Sequence, residues 1–347
     1  MIDVHRLVTG ALRGLDPEDA HNLAIHALKL GLGPVARADD PILACELAGL
    51  KLPNPIGLAP GFDKNAEVFG PMLRAGFGFA ECGTVTPLPQ VGNPRPRLFR
   101  LAEDRAVINR MGFNNAGLEA FAARLAKRGS GVVGANLGAN KDSVDRLADY
   151  TTGLRRLWGM ASYFTINISS PNTPGLRALQ TRAALDELLG RLMNTAQSLP
   201  SGVAAPMFLK VAPDLEDAEI EAIAEVVAGH GLAGVIVANT TLARPGLKSA
   251  HRDETGGLSG APLMAPSTQV LRRFHSLTNG RFLLIGAGGI GSGADAYAKI
   301  RAGAQAVQLY SALAYEGPGL VVRIKHDLAA LLRADGFRSV QEAVGAE

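Results

Sequence analysis

The sequence predicts an α/β fold, a closed (β/α)8 TIM barrel, on three observations. From residue 54 onward, short apolar runs alternate with helical patterns eight times, and eight such units close into a parallel barrel. The chain has 347 residues, enough for one barrel of about 250 residues with an extension and an insertion. Its composition is 47% apolar with 41 glycines, a soluble α/β balance in which Gly-rich loops are over-represented. A doubly wound open sheet is the alternative that the same alternation allows.

Residues 1 to about 40 differ from the rest. Val4, Leu7, Val8, Ala11, Leu12 and Leu15 recur at helical spacing. After Asp16-Pro17-Glu18-Asp19, a helix-start signal with proline at the first helical position, Ala20, Leu23, Ala24, Ala27 and Leu28 do so again. This predicts an N-terminal amphipathic helical hairpin over 1–40, followed by one catalytic barrel domain over 41–347. Such a pair either caps the barrel or dips into a lipid interface without spanning it. Arg6, Arg13, Lys29 and Arg37 stand against six acids there, so membrane contact would be apolar.

The barrel strands are predicted at Ile56–Ala59, Phe79–Val85, Val132–Leu137, Phe164–Ile168, Met207–Val211, Gly234–Val237, Phe282–Gly286 and Ala306–Leu309. Amphipathic segments such as Leu185–Leu192, Ile220–Val227 and Tyr297–Ala302 supply the outer helices. Residues 87–113 are too long for a plain loop. Leu98–Leu101 and Val107–Asn109, around Ala-Glu-Asp-Arg, predict a short β-hairpin inserted at the barrel top.

Composition excludes several partners. A pI of about 8.9, with 35 basic against 32 acidic residues, is too balanced for nucleic acid, and no basic run is interleaved with aromatics. Cys45 and Cys82 belong to no Cys-x-x-Cys or Cys/His set and the seven histidines are scattered, so reduced thiols and no metal are expected. No run of 18 apolar residues exists, and the N-terminus lacks a signal pattern, so no membrane span is expected.

Barrel enzymes place their sites at the C-terminal strand ends, and here those ends are polar. In order they carry Pro60-Gly61-Phe62-Asp63-Lys64, Thr84, Asn136, Asn167 with Ser170, Lys210, Asn239-Thr240, Gly288-Gly289 and Tyr310-Ser311. The fourth is the richest, because the apolar run from Phe164 stops in Asn167, Ser169, Ser170, Asn172 and Thr173 between two prolines. It reads as a ligand site or as a polar turn capping a helix.

Glycines after strands seven and eight sit where barrels commonly bind phosphate. Gly286-Ala-Gly-Gly-Ile-Gly291 also fits a dinucleotide fingerprint, but it falls in the seventh unit without the acidic residue that should follow. Lysines of ordinary pKa in this mouth would offer fixed positive charge, and asparagines would offer paired donors and acceptors. A flavin beside a polar, anionic heterocycle suits both.

These residues resemble the dihydroorotate dehydrogenase family, in its membrane-associated, quinone-reducing class (class 2). The resemblance runs from Leu15-Asp-Pro-Glu-Asp-Ala-His21 through Gly61-Phe-Asp-Lys64, Asn109-Arg110-Met111-Gly112-Phe113, Asn167-Ile-Ser-Ser-Pro-Asn-Thr-Pro-Gly175, Lys210-Val-Ala-Pro-Asp214 and Gly257-Leu-Ser-Gly260 to Tyr310-Ser311. It implies one FMN per chain, oxidation of (S)-dihydroorotate to orotate in de novo pyrimidine synthesis, and a membrane quinone as electron acceptor. Ser170 then matches the catalytic base, with Thr173 and Phe113 shaping a proton exit. Lys64, Asn109, Arg110, Met111, Gly112, Phe113, Asn167, Asn172, Asn239 and Thr240 match substrate positions.

The same resemblance assigns the cofactor to Pro60, Gly61, Phe62, Asp63, Lys64, Thr84, Asn136, Asn167, Lys210, Ala238, Gly260, Gly289, Tyr310 and Ser311. His21, Arg100 and Tyr310 match the quinone side. A peripheral place on the cytoplasmic face of the cell membrane is implied. Pro60, Phe62 and Ala238 depart from the family's usual residues, which bears on FMN affinity. A soluble dihydroorotate dehydrogenase using fumarate or NAD, or a non-catalytic phosphate-binding barrel, are the rival readings; a serine rather than a cysteine at 170 and the helical N-terminus oppose the first.

Overall fold

The computed structural model describes residues 9–200 and 205–347. Of the first predicted helix, Val4, Leu7 and Val8 lie outside the described residues, while residues 9–12 are helical. The second helix spans Pro17–Lys29. The Asp16 carboxylate accepts from the Glu18 and Asp19 backbone N–H groups at 2.9 and 3.2 Å, and Pro17 opens the first turn where no N–H is needed. Its inner face buries Ile25 and Leu28 in the main core. Leu23 stays 52% exposed on the outside.

A hairpin absent from the sequence reading precedes the barrel: β1 (Cys45–Leu47) pairs antiparallel with β2 (Leu50–Leu52) and buries Leu47 and Leu52. Its two-residue turn holds Ala48 at φ 51 and Gly49 at φ 80. Such turns need both central residues left-handed, a demand that Asn-Gly advertises and Ala-Gly does not.

Next come β3 (Ile56–Leu58), β4 (Phe79–Val85), β5 (Leu98–Leu101), β6 (Ala106–Asn109), β7 (Val132–Leu137), β8 (Tyr163–Asn167) and β9 (Met207–Val211). β10 (Gly234–Val237), β11 (Gly257–Gly260), β12 (Leu283–Ala287) and β13 (Ala306–Leu309) follow. The barrel is β3, β4, β7, β8, β9, β10, β12 and β13, each parallel to the next, with β13 closing on β3. The open-sheet alternative is thereby excluded.

Predicted strand limits shift by a residue. The first barrel strand ends at Leu58, although the Ala59 N–H still donates to the Leu309 carbonyl at 3.0 Å. The fourth is Tyr163–Asn167 and the seventh Leu283–Ala287. Inside the barrel, Phe79, Tyr163 and Phe208 pack edge to face. Room for two of these rings comes from glycine: a Cβ on Gly57 or Gly134 would lie 2.2 Å from Phe79 or Tyr163.

The inserted hairpin is present as β5 and β6, but it is two strands of three. β11, from the loop after the sixth barrel strand, pairs with β6. This sheet has a small core of its own in Phe99, Leu101, Ala106, Ile108 and Leu258. Gly257-Leu-Ser-Gly260 carries almost no strand propensity, so only tertiary pairing reveals it.

Candidate functional site

A cavity of about 380 Å3 runs from the inner face of Pro17–Lys29, under the three-stranded sheet, to the C-terminal ends of the barrel strands. Almost every residue predicted for the site lines it. From the strand ends these are Pro60, Gly61, Phe62, Lys64, Thr84, Asn167, Ser170, Asn172, Lys210, Ala238, Asn239, Thr240, Gly289, Tyr310 and Ser311. The sheet adds Arg100, Asn109 and Gly260, the loop after β6 adds Met111, Gly112 and Phe113, and the helix adds His21.

Four predicted residues stand elsewhere, one of them Thr173, which is buried outside the cavity wall. Arg110 turns away from the cavity, donating to Glu254 at 2.8 Å and stacking over Phe99 at 4.5 Å; its side chain locks the insertion. Asp63 is buried behind the wall, where its carboxylate accepts from the Glu67 and Val68 backbone N–H groups at 2.7 and 2.8 Å. Asn136 is fully buried behind Thr84 and Asn167, accepting from Thr84 Oγ1 at 2.5 Å and from Asn167 Nδ2 at 3.2 Å.

The two lysines depart from the ordinary pKa that the sequence suggests. Burial pushes Lys64 down to about 8, with Glu18 and Asp63 opposing the shift and Arg97 adding to it. Burial also lowers Lys210, with Glu81 opposing. Neither ammonium makes a hydrogen bond or ion pair with any described residue. An uncompensated cation in a low-dielectric wall is costly unless an anion joins it.

The amides form one connected array. Asn167 Oδ1 accepts from Ser169 Oγ at 3.1 Å and Asn239 Nδ2 at 3.3 Å, and Asn172 Nδ2 donates to Asn109 Oδ1 at 3.3 Å. Ser170, 5% exposed, accepts at Oγ from the Asn172 backbone N–H at 3.2 Å. Beside it, Thr240 Oγ1 is buried without a partner. The loop is fastened by Arg177, which donates to the carbonyls of Ser169 and Thr240 at 3.2 and 3.0 Å and to Asp214 at 3.0 Å. Asp214 ends a stretch singled out in the sequence, yet the tying role it shares with Arg177 needs three loops brought together.

At the opposite wall the chain turns at Gly288 and Gly289, with φ of 95° and 83°. A Cβ on Gly289 would lie 2.4 Å from the Met264 backbone, so only glycine lets the turn meet the start of helix Met264–Thr278. Helix starts favour anions. Ser311 donates to Ser259 Oγ at 2.8 Å, and Ser259 also lines the cavity. Sequence reasoning misses that residue because it sits inside β11. The dinucleotide-like glycines follow β12, in the barrel, with no dinucleotide unit around them.

Toward the helix the wall becomes apolar. His21, Phe62 and Tyr310 meet edge to face or tilted, with ring centroids 5.4 to 6.1 Å apart. Burial and the nearby Lys64 push His21 down to about 3, so it is neutral in this cluster; burial pushes Tyr310 up. Arg100 reaches the carbonyls of Arg13 and Leu15. Glu18 and Arg97, both missed by sequence reasoning, form a buried two-point ion pair at 2.6 and 2.9 Å that joins helix to insertion. Among the described residues no cluster of metal-ligating side chains occurs.

Against known proteins, the family model described as Dihydroorotate dehydrogenase matches residues 42–332. The chain is 59% identical to the dihydroorotate dehydrogenase (quinone) of Rhodospirillum rubrum, over 100% of this chain and 95% of that one. It is 57% identical to that of Parvibaculum lavamentivorans, over 100% and 99%. Among solved structures, ligand-free DHODH from Eimeria tenella superposes with a TM-score of 0.93 at 43% identity, covering 95% of this chain and 99% of that one.

Proposed function

Since the chain belongs to the dihydroorotate dehydrogenase family, we infer that it catalyses the quinone-dependent oxidation of dihydroorotate to orotate in pyrimidine biosynthesis. The observation that carries this reading is two lysines whose ammonium groups are paired with no carboxylate, Lys210 buried and Lys64 partly so, facing one cavity lined by amides. One anion suits each. FMN fits the Lys210 side: the glycine turn at 288–289 with Ser311 and Gly260 suits its phosphate, and the Pro60–Lys64 backbone with Thr84 suits its ring. When bound, FMN supplies the hydride acceptor.

Lys64 is the cation for the substrate carboxylate, and Asn109, Asn167, Asn172 and Asn239 supply donors and acceptors for the ring amides. The unpartnered Thr240 hydroxyl gains a ligand atom there. Ser170 Oγ, oriented by the Asn172 N–H, takes the C5 proton of dihydroorotate as the C6 hydrogen leaves with its electron pair. Proton removal by a hydroxyl requires its own proton to move on, and we assign that route to Phe113, on the cavity wall, and to buried Thr173.

Quinone enters past His21, Phe62 and Tyr310 from the helical end. We assign residues 1 to about 40 to a membrane-facing unit and the rest to the catalytic barrel. No helix among the described residues is long and apolar enough to cross a membrane. Leu23, Leu30, Leu32 and Val35, 52 to 77% exposed, suit an interfacial contact with the cytoplasmic face of the cell membrane. The test is spectroscopic. The purified protein should be yellow, bleach anaerobically with dihydroorotate and regain colour with a quinone; a colourless protein, or a colour indifferent to dihydroorotate, overturns the reading.

A further inference from the structure

Glu81 is fully buried in β4 and does not itself line the cavity, although its partner Gln308 does. Its partners come from three other strands, two of which do not neighbour β4, so the group sits in the barrel interior. Oε1 accepts from Asn136 Nδ2 at 2.7 Å, and Oε2 accepts from Tyr163 Oη at 3.0 Å and Gln308 Nε2 at 2.6 Å. Both oxygens accept, so Asn136 turns its NH2 inward and its oxygen outward.

That outward oxygen receives Thr84 Oγ1 and Asn167 Nδ2. Asn167 Nδ2 also donates to Thr84 Oγ1 at 2.9 Å, which leaves Asn167 Oδ1 to receive Ser169 Oγ and Asn239 Nδ2. Asn239 Oδ1 in turn accepts the Thr240 N–H at 2.8 Å. An amide has two nearly equal faces, and nothing in its shape selects one. The direction of every link runs back to the acceptor in the barrel interior.

We propose that Glu81 is a positioning residue: by accepting from Asn136 it fixes which faces of Asn136, Asn167 and Asn239 donate and which accept, and so sets the hydrogen-bonding pattern offered to the substrate ring. This rests on the assignment of the amide array to dihydroorotate and orotate. A buried chain of this kind is cooperative, and one reversed member leaves donors facing donors.

Moving the carboxylate one link along tests the idea. In Glu81→Gln, the new amide satisfies either Asn136 or the Tyr163–Gln308 pair in their present directions, never both. In Asn136→Asp alone, two carboxylates face each other. In the double variant Glu81→Gln/Asn136→Asp, the introduced amide donates to the introduced carboxylate and still accepts from Tyr163 and Gln308. That carboxylate accepts from Thr84 and Asn167 as Asn136 does in the parent. Orotate binding is read in the FMN-loaded proteins from the perturbation of the flavin spectrum, with melting temperature and FMN content alongside.

Each single variant should weaken orotate at least tenfold, and the double variant should return to within about threefold of the parent. Glu81→Gln within twofold of the parent overturns the proposal, whatever its melting temperature, and decides alone if the double variant does not fold. Losses that multiply in the double variant overturn it too, as does FMN loss with normal orotate binding in the reloaded protein. A parent that holds no FMN or ignores orotate refutes the site reading itself.

Discussion

Lys64 and Ser170 stand one chemical step apart and should fail differently. Burial has Lys64 losing its proton near pH 8 in the free protein rather than above 10. Below pH 8 it is charged and an anion binds without proton uptake; above it, binding must return the proton. Orotate affinity should thus be flat from pH 6 to about 8 and fall by up to about tenfold over the next unit. In Lys64→Met the affinity should be weak and flat over the same range, as read by titration of the flavin spectrum. For stability the sign is reversed: the charged form is disfavoured by folding, so the cost is full below pH 8 and fades as pH rises toward 10.5. If Ser170 is the base proposed above, Ser170→Ala should keep FMN and slow anaerobic bleaching by between about 10² and 10⁴-fold. Near-normal bleaching would remove the hydroxyl as base.

At the scale of elements, helix Pro17–Lys29 is held to the insertion by Glu18 and Arg97. Burial works against ionisation of Glu18, yet the Arg97 and Arg95 guanidinium groups hold it below the usual carboxylate range. Arg97→Met would leave this carboxylate with only Arg95, whose side chain is 52% exposed. Breaking such a pair costs about 3 kcal/mol or more. Amide exchange in residues 18–30 should accelerate on the order of 100-fold while exchange in the barrel strands stays unchanged. Equal acceleration throughout would mean that the helix is part of the barrel's cooperative unit.

Elements also divide into those legible in sequence and those not. The eight barrel strands are legible because strands buried on both faces read as apolar runs. β1–β2 and β11 are not, because Ala48-Gly49 imitates an ordinary loop and Gly257-Leu-Ser-Gly260 becomes a strand only beside β6. The site divides likewise. Residues at strand ends can be found, since topology gathers such ends in one place, while Arg110 and Asp63 carry motif identity without pointing inward. Glu81 cannot be found at all: a lone acid in an apolar run acquires its meaning from Tyr163 and Gln308, which are 82 and 227 residues away.

Over the whole molecule, the described barrel strands begin at Ile56, helix Pro17–Lys29 ends well before them, and the segment up to residue 40 is tied to the barrel. The Ala36 N–H bonds the Arg74 carbonyl at 2.8 Å, Asp39 pairs with Lys325 and accepts from Asn54, and Asp40 pairs with Arg333 at 2.7 Å. Deletion of residues 1–33 therefore removes the helices and spares these ties. The truncated protein should bind FMN and bleach with dihydroorotate at near the parent rate, while losing reoxidation by long-chain quinones and binding to lipid vesicles. Stopped-flow measurement of the two half-reactions decides between a quinone entry and a mere cap, because a cap would impair both together.

The three-stranded sheet bears on how such a site tolerates motion. Arg100 on β5, Asn109 on β6 and Ser259 on β11 reach the helical end, the amide array and the glycine-turn wall of the cavity in turn. All three ride on one hydrogen-bonded unit with its own small core. Any displacement of the sheet as one unit would carry these residues together, so their spacing would survive a movement that independent loops would scatter.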